Sequence, residues 1–135
     1  MGDSTWLNIS LAEKDLEKFD KVLINEMWEG TWWDEAEIDD GVIFAQIYEA
    51  NYGWFTQLEN LAEANLTFHG SSGSGGSYGA GIFACHEGNL MEVLADHDSQ
   101  PVVIVEADGN VSKSQLENVR DYLDISKKAE AEIGN

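Results

Sequence analysis

The stretch that decides the fold is residues 35–48, Glu-Ala-Glu-Ile-Asp-Asp-Gly-Val-Ile-Phe-Ala-Gln-Ile-Tyr. Its central pair, Asp40 and Gly41, favours a two-residue turn because both residue types accept the positive φ angles that such a turn needs. After the turn, Ile, Ala and Ile alternate with Val, Phe, Gln and Tyr, as in a strand that buries one face. We therefore predict a β-hairpin with one strand on either side of residues 40–41.

The first strand of this hairpin is acidic. Glu35, Glu37 and Asp39 would share one face, at intervals of about 7 Å along an extended backbone. A row of carboxylates with that spacing resembles the phosphates of a nucleic-acid strand more closely than acids scattered on a helix would. The hairpin is therefore also a candidate binding surface.

Helices are predicted on both sides of the hairpin. Residues 10–13, Ser-Leu-Ala-Glu, have the form of a capping box and predict a helix over about 11–27. A second helix is predicted over 54–65. A third opens at a second capping box, residues 112–115, and should turn Leu116, Val119 and Leu123 inward. We expect a frayed helical tail from about residue 126.

Short strands complete the sheet. They are predicted at residues 6–9, 66–68, 82–85, 90–94 and 102–105, with a helix as the alternative for 90–94. The last of these is a continuous Val-Val-Ile-Val run, typical of an internal strand covered on both faces. A Gly/Ser-rich loop is expected at residues 70–81. The pattern predicts an α+β fold in one domain over residues 1–135, a mostly antiparallel sheet of five or six strands with two or three helices packed on it.

The chain carries a large negative charge. Its 135 residues include 26 Asp or Glu and only 7 Lys or Arg, so the formal net charge is −19. Small domains usually carry a net charge of magnitude roughly 2–8, and self-repulsion beyond that destabilises the compact state. Because 43% of the residues are hydrophobic, a core is still expected. The sign of the charge argues against direct binding to nucleic acid or to an anionic membrane.

The acids are unevenly spread along the chain. Between Val22 and Ser112 there are 16 acidic residues and no Lys or Arg, and residues 26–40 alone hold seven acids. The surface of a protein this size averages about one net charge per 370 Å², against roughly one per 110 Å² for duplex DNA. If the excess negative charge were gathered on about a third of the protein surface, its density there would match the charge density of duplex DNA. Adaptation to high salt and a simple solvated acidic face are the alternatives.

The Gly/Ser-rich residues 70–81 could suggest a loop that binds phosphate through backbone N–H groups. The Gly-Lys-Ser/Thr sequence of such loops is absent, and no Lys or Arg lies within thirty residues on either side. A flexible connection between strands explains the composition more simply, and a loop that contacts a partner is the alternative.

Two metal sites can be considered. The candidate zinc ligands are His69, Cys85, His86 and His97, but no two of them have the two-to-four-residue spacing of a structural site. Residues 106–117 carry oxygen ligands at the positions of a calcium-binding loop, but a valine stands where that loop requires glycine. A turn followed by a capped helix explains the same residues. We therefore expect no bound metal and no cofactor.

Catalysis has little support in the sequence, and we expect no catalytic residues. No nucleophile motif is present. His69 with Cys85 is a conceivable nucleophile pair, which together with the Gly-rich loop would make a small enzyme. The acidic surroundings, however, disfavour the thiolate that such chemistry requires.

In size and charge the chain resembles the DNA-mimicking inhibitors that phages and mobile elements use against restriction or CRISPR systems. The resemblance covers composition, without a motif matched residue by residue. It implies a non-enzymatic inhibitor whose acids replace phosphates on a basic nucleic-acid-binding protein or ribonucleoprotein complex, with aromatic side chains as anchors. The expected contact residues are Glu26, Glu29, Trp32, Trp33, Asp34, Glu35, Glu37, Asp39, Asp40 and Glu49.

A second hypothesis is an acidic adaptor or immunity-type protein for a basic partner that does not bind nucleic acid. Both hypotheses fit a cytoplasmic protein, in the host cytoplasm if the chain is phage-encoded. The single Cys85 suits a reducing compartment, no apolar run approaches the ~20 residues of a membrane span, and the first residues lack a secretory signal.

Overall fold

A computed structural model describes residues 4–24, 36–51, 55–74 and 80–134. The strands are β1 (Ser4–Ala12), β2 (Glu37–Asp39), β3 (Val42–Asn51), β4 (Phe68–Ser72), β5 (Gly81–His86) and β6 (Asn89–Leu94). The helices are a 3-10 turn (Glu13–Asp15), α1 (Leu16–Ile24), α2 (Phe55–Glu63) and α3 (Lys113–Ile133). The strands form one antiparallel sheet in the order β2-β3-β1-β4-β5-β6. The predicted α+β class is confirmed.

The β2–β3 hairpin forms where the sequence predicts it. Asp39 pairs with Val42 across the turn. Asp40 and Gly41 have φ angles of 51° and 80°, the left-handed values of a type I′ turn, whose twist matches that of the flanking strands. Glu37 and Asp39 of β2 are exposed.

Strand alternation divides the side chains between two faces of the sheet. Leu7, Ile9 and Leu11 of β1 point to the side covered by α1 and α2, where they join the larger core. On the other side, α3 packs against β4, β5 and β6 and reaches β1. A second core lies under α3 and includes Ile82 and Tyr122. We call these sides the α1/α2 face and the α3 face.

β1 is longer than predicted, and the first helix starts later. Ser10 pairs with Phe44 on one side and with His69 on the other, so it lies in the middle of the sheet rather than at a helix cap. The helix predicted over 11–27 is therefore wrong at its start, and α1 begins at Leu16. Ala12 has the helical spacing to Leu16 and Phe19, but its pairing with Val42 continues β1 to this residue.

Two further predictions of strand and loop are corrected. The first residues of the predicted Gly/Ser-rich loop belong to β4, and Gly70 lies so close to β1 that a Cβ there would overlap the carbonyl oxygen of Asn8. The predicted internal strand at 102–105 is not a strand of the sheet. Val105 is 63% exposed and forms an isolated bridge to Val111.

α3 opens as predicted but buries a different set of residues. The hydroxyl of Ser112 accepts a hydrogen bond from the backbone N–H of Gln115 at 3.5 Å, which caps the helix. Val119 is buried as predicted, whereas Leu123 is 51% exposed and Tyr122 takes the inward position.

The frayed tail expected from about residue 126 is wrong. α3 continues to Ile133 and ends at Gly134, whose φ of 103° is typical of a helix C-terminus. Ala129 is fully buried, and Ile133 is nearly so. The end of α3 is therefore part of the packed structure. Within the described ranges, none of the helices combines the length and apolar character needed to cross a bilayer.

A pair of substitutions tests the packing of the α3 end. Ala129→Asp should lower the free energy of unfolding by about 3 kcal/mol, because it buries a charge where no space exists. Ala131→Asp, at an exposed position of the same turn, should lower it by only about 0.5 kcal/mol, the cost of Asp in a helix. Urea denaturation measures both. Equal effects would contradict a packed helix end.

Candidate functional site

The α3 face of the sheet is exposed where it extends beyond α3, at the hairpin. Glu37 lies opposite Phe44 in the pairing of β2 with β3, and Gln46 lies opposite Asn8 in the pairing of β3 with β1. Residues directly opposite each other in an antiparallel sheet point to the same side. These four side chains and Asp39 therefore form one surface, which we call the hairpin face.

The hairpin face combines charge with an apolar centre. The side chains of Glu37, Asp39, Gln46 and Asn8 are exposed, and Phe44 is 41% exposed. An aromatic ring surrounded by polar groups is typical of protein–protein contact surfaces. Phe44 was not among the predicted contact residues, although its place opposite Glu37 follows from the predicted hairpin.

The structure places only part of the predicted contact set. Glu37, Asp39 and Asp40 are exposed on the hairpin. Glu49 belongs to β3, but its side chain is outside the described part of the chain. The other predicted contacts also lie outside the described residues: Glu26, Glu29, Trp32, Trp33, Asp34 and Glu35.

The hairpin carboxylates are not neutralised by the basic residues of the described ranges. Those residues lie in the 3-10 turn, α1 and α3. Two of them form ion pairs within their own helical segments, Lys18 with Asp15 at 3.8 Å and Lys128 with Asp124 at 3.2 Å. Glu37 and Asp39 form no ion pair with any described residue.

Acidic side chains are not confined to the hairpin. α1, α2 and α3 and the turn before β6 all carry exposed carboxylates, so both faces of the sheet are surrounded by negative charge. A cationic partner would be attracted from several directions. Its orientation would depend on local contacts such as the ring of Phe44.

The conceivable nucleophile pair is not brought together. Phe68 lies opposite Cys85, and His69 lies opposite Ala84, so Cys85 points to the α1/α2 face and His69 to the α3 face. The thiol of Cys85 is fully buried and donates a hydrogen bond to the carbonyl of Leu66 at 3.3 Å. Burial raises the pKa of Cys85 to about 11. Burial lowers the pKa of His69, against a smaller opposing effect of the Glu130 carboxylate.

The four candidate zinc ligands do not converge either. In the described part of the chain, the one cluster of three possible metal ligands is His86, Glu87 and Glu132, whose ligand atoms lie within 4.8 Å of one another. His86 Nε2 is 3.5 Å from Glu132 Oε1. These three groups could hold a transition metal with open positions left for water, and a polar contact between the His86 imidazole and the Glu132 carboxylate explains the same geometry.

The calcium-loop pattern is accounted for by a turn. The Asp108 carboxylate accepts hydrogen bonds from the backbone N–H and the side-chain amide of Asn110, at 2.9 and 3.0 Å. These bonds lower the pKa of Asp108. Ser112 caps α3, as described above.

The Gly/Ser-rich segment borders a cavity of about 440 Å³ together with Trp6, Asp96 and His97. The Asp96 carboxylate already accepts hydrogen bonds from the backbone N–H groups of Asp98 and Gln100, both at 2.9 Å. Asp96 therefore holds its own loop in shape. Neither His69 nor Cys85 lines this cavity.

Comparison of the chain with protein-family models, curated proteins and solved structures finds no match. Its function must therefore be argued from its own residues.

The burial of Cys85 gives a direct test of this part of the structure. At pH 8 the folded protein should react with iodoacetamide at least roughly 100-fold more slowly than the same chain in urea, because both the thiolate fraction and access are reduced. Below pH 9 the buried neutral thiol favours the folded state fully, and this contribution is lost as the pH rises towards about 11. Mass spectrometry follows the single alkylation. Similar rates in both states would contradict a buried Cys85.

Proposed function

We propose that this chain is a non-enzymatic acidic inhibitor that occupies the cationic, nucleic-acid-binding surface of a partner protein or ribonucleoprotein complex in place of nucleic acid. It would act in the cytoplasm, that of the host if the chain is phage-encoded. The observation that supports the proposal best is the hairpin face. Its carboxylates are exposed, unpaired among the described residues, and located beside an exposed aromatic ring.

The geometry of β2 suits this role. Glu37 and Asp39 are two positions apart on one side of an extended strand, which separates them by about 7 Å. The backbone of both residues is held by pairing with β3, so only their side chains have to be ordered on binding. Such a fixed row can meet Lys and Arg side chains that otherwise bind successive phosphates.

Phe44 supplies what charge alone does not. Electrostatic attraction accelerates encounter, but it weakens as salt is added. An exposed ring beside carboxylates can receive the planar face of an arginine guanidinium while the acids accept its hydrogen bonds. The ring therefore favours Arg-rich partners, a common feature of surfaces that bind nucleic acid.

A second candidate is an adaptor for a basic partner that does not bind nucleic acid. The observation in its favour is the presence of exposed carboxylates on both faces of the sheet. A mimic needs its charge gathered along one path, whereas an adaptor does not.

Charge reversal on the hairpin tests the proposed contact. A partner is first captured by the wild-type chain at low salt and purified, and its affinity is then measured for each variant. Glu37→Lys combined with Asp39→Lys should weaken binding by on the order of tenfold or more, because two attractive contacts become repulsive.

The control is Glu13→Lys combined with Glu17→Lys, which changes the net charge equally at exposed positions of the 3-10 turn and α1. It should reduce affinity much less, through the long-range field alone. Equal losses in the two double variants would show that the hairpin face is not the contact. Circular dichroism checks that both variants keep the fold.

A further inference from the structure

β6 lies at one end of the sheet, and no described residue range forms a strand beside its outer edge. His86 pairs with Asn89 across a two-residue turn, in which Glu87 and Gly88 have φ angles of 48° and 88°. In a type I′ hairpin the pair next to the turn exchanges both backbone hydrogen bonds, and every second pair after it does the same. The intervening β6 residues direct their N–H and C=O groups away from β5.

The residues whose backbone N–H and C=O groups point away from β5 are Leu90, Glu92 and Leu94. The carbonyl of Leu94 accepts a hydrogen bond from the N–H of Val102 at 3.0 Å, which agrees with this assignment. Leu90 and Glu92 have no such partner among the described residues. Their backbone groups form a short open edge at which another strand could pair.

A groove of about 600 Å³ lies at the Leu90 end of this edge. Leu90 and Met91 both line it, and because neighbouring strand residues point to opposite faces, the groove must extend across the side of β6. α2 forms the wall on the α1/α2 face, and α3 forms the wall on the α3 face. An extended chain is the shape that fits between two helices along a strand.

The lining of the groove indicates the chemistry of its occupant. Its floor consists of half-buried apolar residues, and its rim carries exposed carboxylates on both walls, Glu59 and Glu63 from α2 and Asp121 and Asp124 from α3. Asp124 is paired with Lys128. The other three rim carboxylates form no ion pair with a described residue. The groove is therefore complementary to a peptide that carries both apolar and basic side chains.

The turn that leads into β6 is held by the end of α2 and by the two residues before β4. Gly88 packs so closely against this helix that a Cβ would stand 2.9 Å from the carbonyl oxygen of Ala62. The N–H of Glu87 donates to the hydroxyl of Thr67 at 3.1 Å, and that of Gly88 donates to the carbonyl of Leu66 at 3.4 Å. An edge fixed in this way needs little reorganisation when a strand is added.

We propose that this groove binds an extended basic peptide segment, which adds to the sheet as a strand beside β6. Successive side chains of such a strand point alternately to the α2 wall and the α3 wall. Two neighbouring Lys or Arg residues would each meet a carboxylate, and an apolar residue would rest on the floor. This site is separate from the hairpin face, which lies at the β2 end of the sheet.

The test uses a fluorescein-labelled hexapeptide, Lys-Arg-Val-Lys-Arg-Val, and the same peptide with an N-methyl group on every backbone nitrogen, so that neither edge of its strand can donate. Methylation keeps every charge but removes the donors that pair with an edge. Anisotropy at low salt should show binding of the first peptide and at least about tenfold weaker binding of the second. Hydrogen exchange should show new protection of the Leu90 and Glu92 amides when the first peptide is bound.

Variants of the α2 wall measure how much its carboxylates contribute to peptide binding. Glu59→Gln combined with Glu63→Gln should weaken peptide binding at least about fivefold, whereas Glu13→Gln combined with Glu17→Gln should leave it nearly unchanged. The proposal is overturned if the peptide does not bind at low salt, if the two peptides bind equally, or if the amides of β6 gain no protection. Because these readouts use a synthetic peptide, they are independent of the partner bound by the hairpin face.

Discussion

The structure depends on the central strand β1 remaining uncharged and extended between two neighbours. β1 contains no Lys, Arg, Asp or Glu, and it pairs with β3 on one side and with β4 on the other. Because side chains alternate along β1, Leu7, Ile9 and Leu11 enter the larger core. The register of β1 with β3 and β4 then determines which side chains of those two strands face α1 and α2. With a net charge of −19, the chain folds because this neutral centre leaves its carboxylates at the edges and on the helices, where water and salt screen them.

The features that the sequence predicts correctly are those with local causes. The β2–β3 hairpin follows from the Asp40–Gly41 turn, and the start of α3 follows from the Ser112 cap. The errors arise where distant contacts decide. Ala12 has the helical spacing to Leu16 and Phe19, yet its pairing with Val42 of β3 makes it the last residue of β1. A continuous apolar run at 102–105 does not reveal that Val102 bonds to Leu94 at the end of β6 while Val105 forms an isolated bridge to Val111. The packing of Ala129 cannot be inferred from an alanine.

The candidate site also combines features with local causes, which the sequence predicts, and features that depend on distant contacts. The number of acidic residues predicts an acidic hairpin, and the alternation of side chains along its strands places Phe44 on the same face as Glu37. The separation of His69 from Cys85 depends on the register between β4 and β5, which no local pattern specifies. The groove beside β6 was not predicted at all, because its walls come from two helices far apart in sequence and become neighbours only through the order of the strands. The sequence shows which segments are acidic, whereas the strand order determines which acidic side chains lie together on one surface.

Competition on an isolated partner tests the proposed function most directly. The partner is saturated with its own fluorescently labelled DNA or RNA and titrated with this chain, while light scattering reports the mass of every complex. If the chain takes the place of nucleic acid, the label should be released in proportion to the chain bound, and no complex containing all three components should form. A stable complex of partner, nucleic acid and chain would contradict mimicry and favour the adaptor.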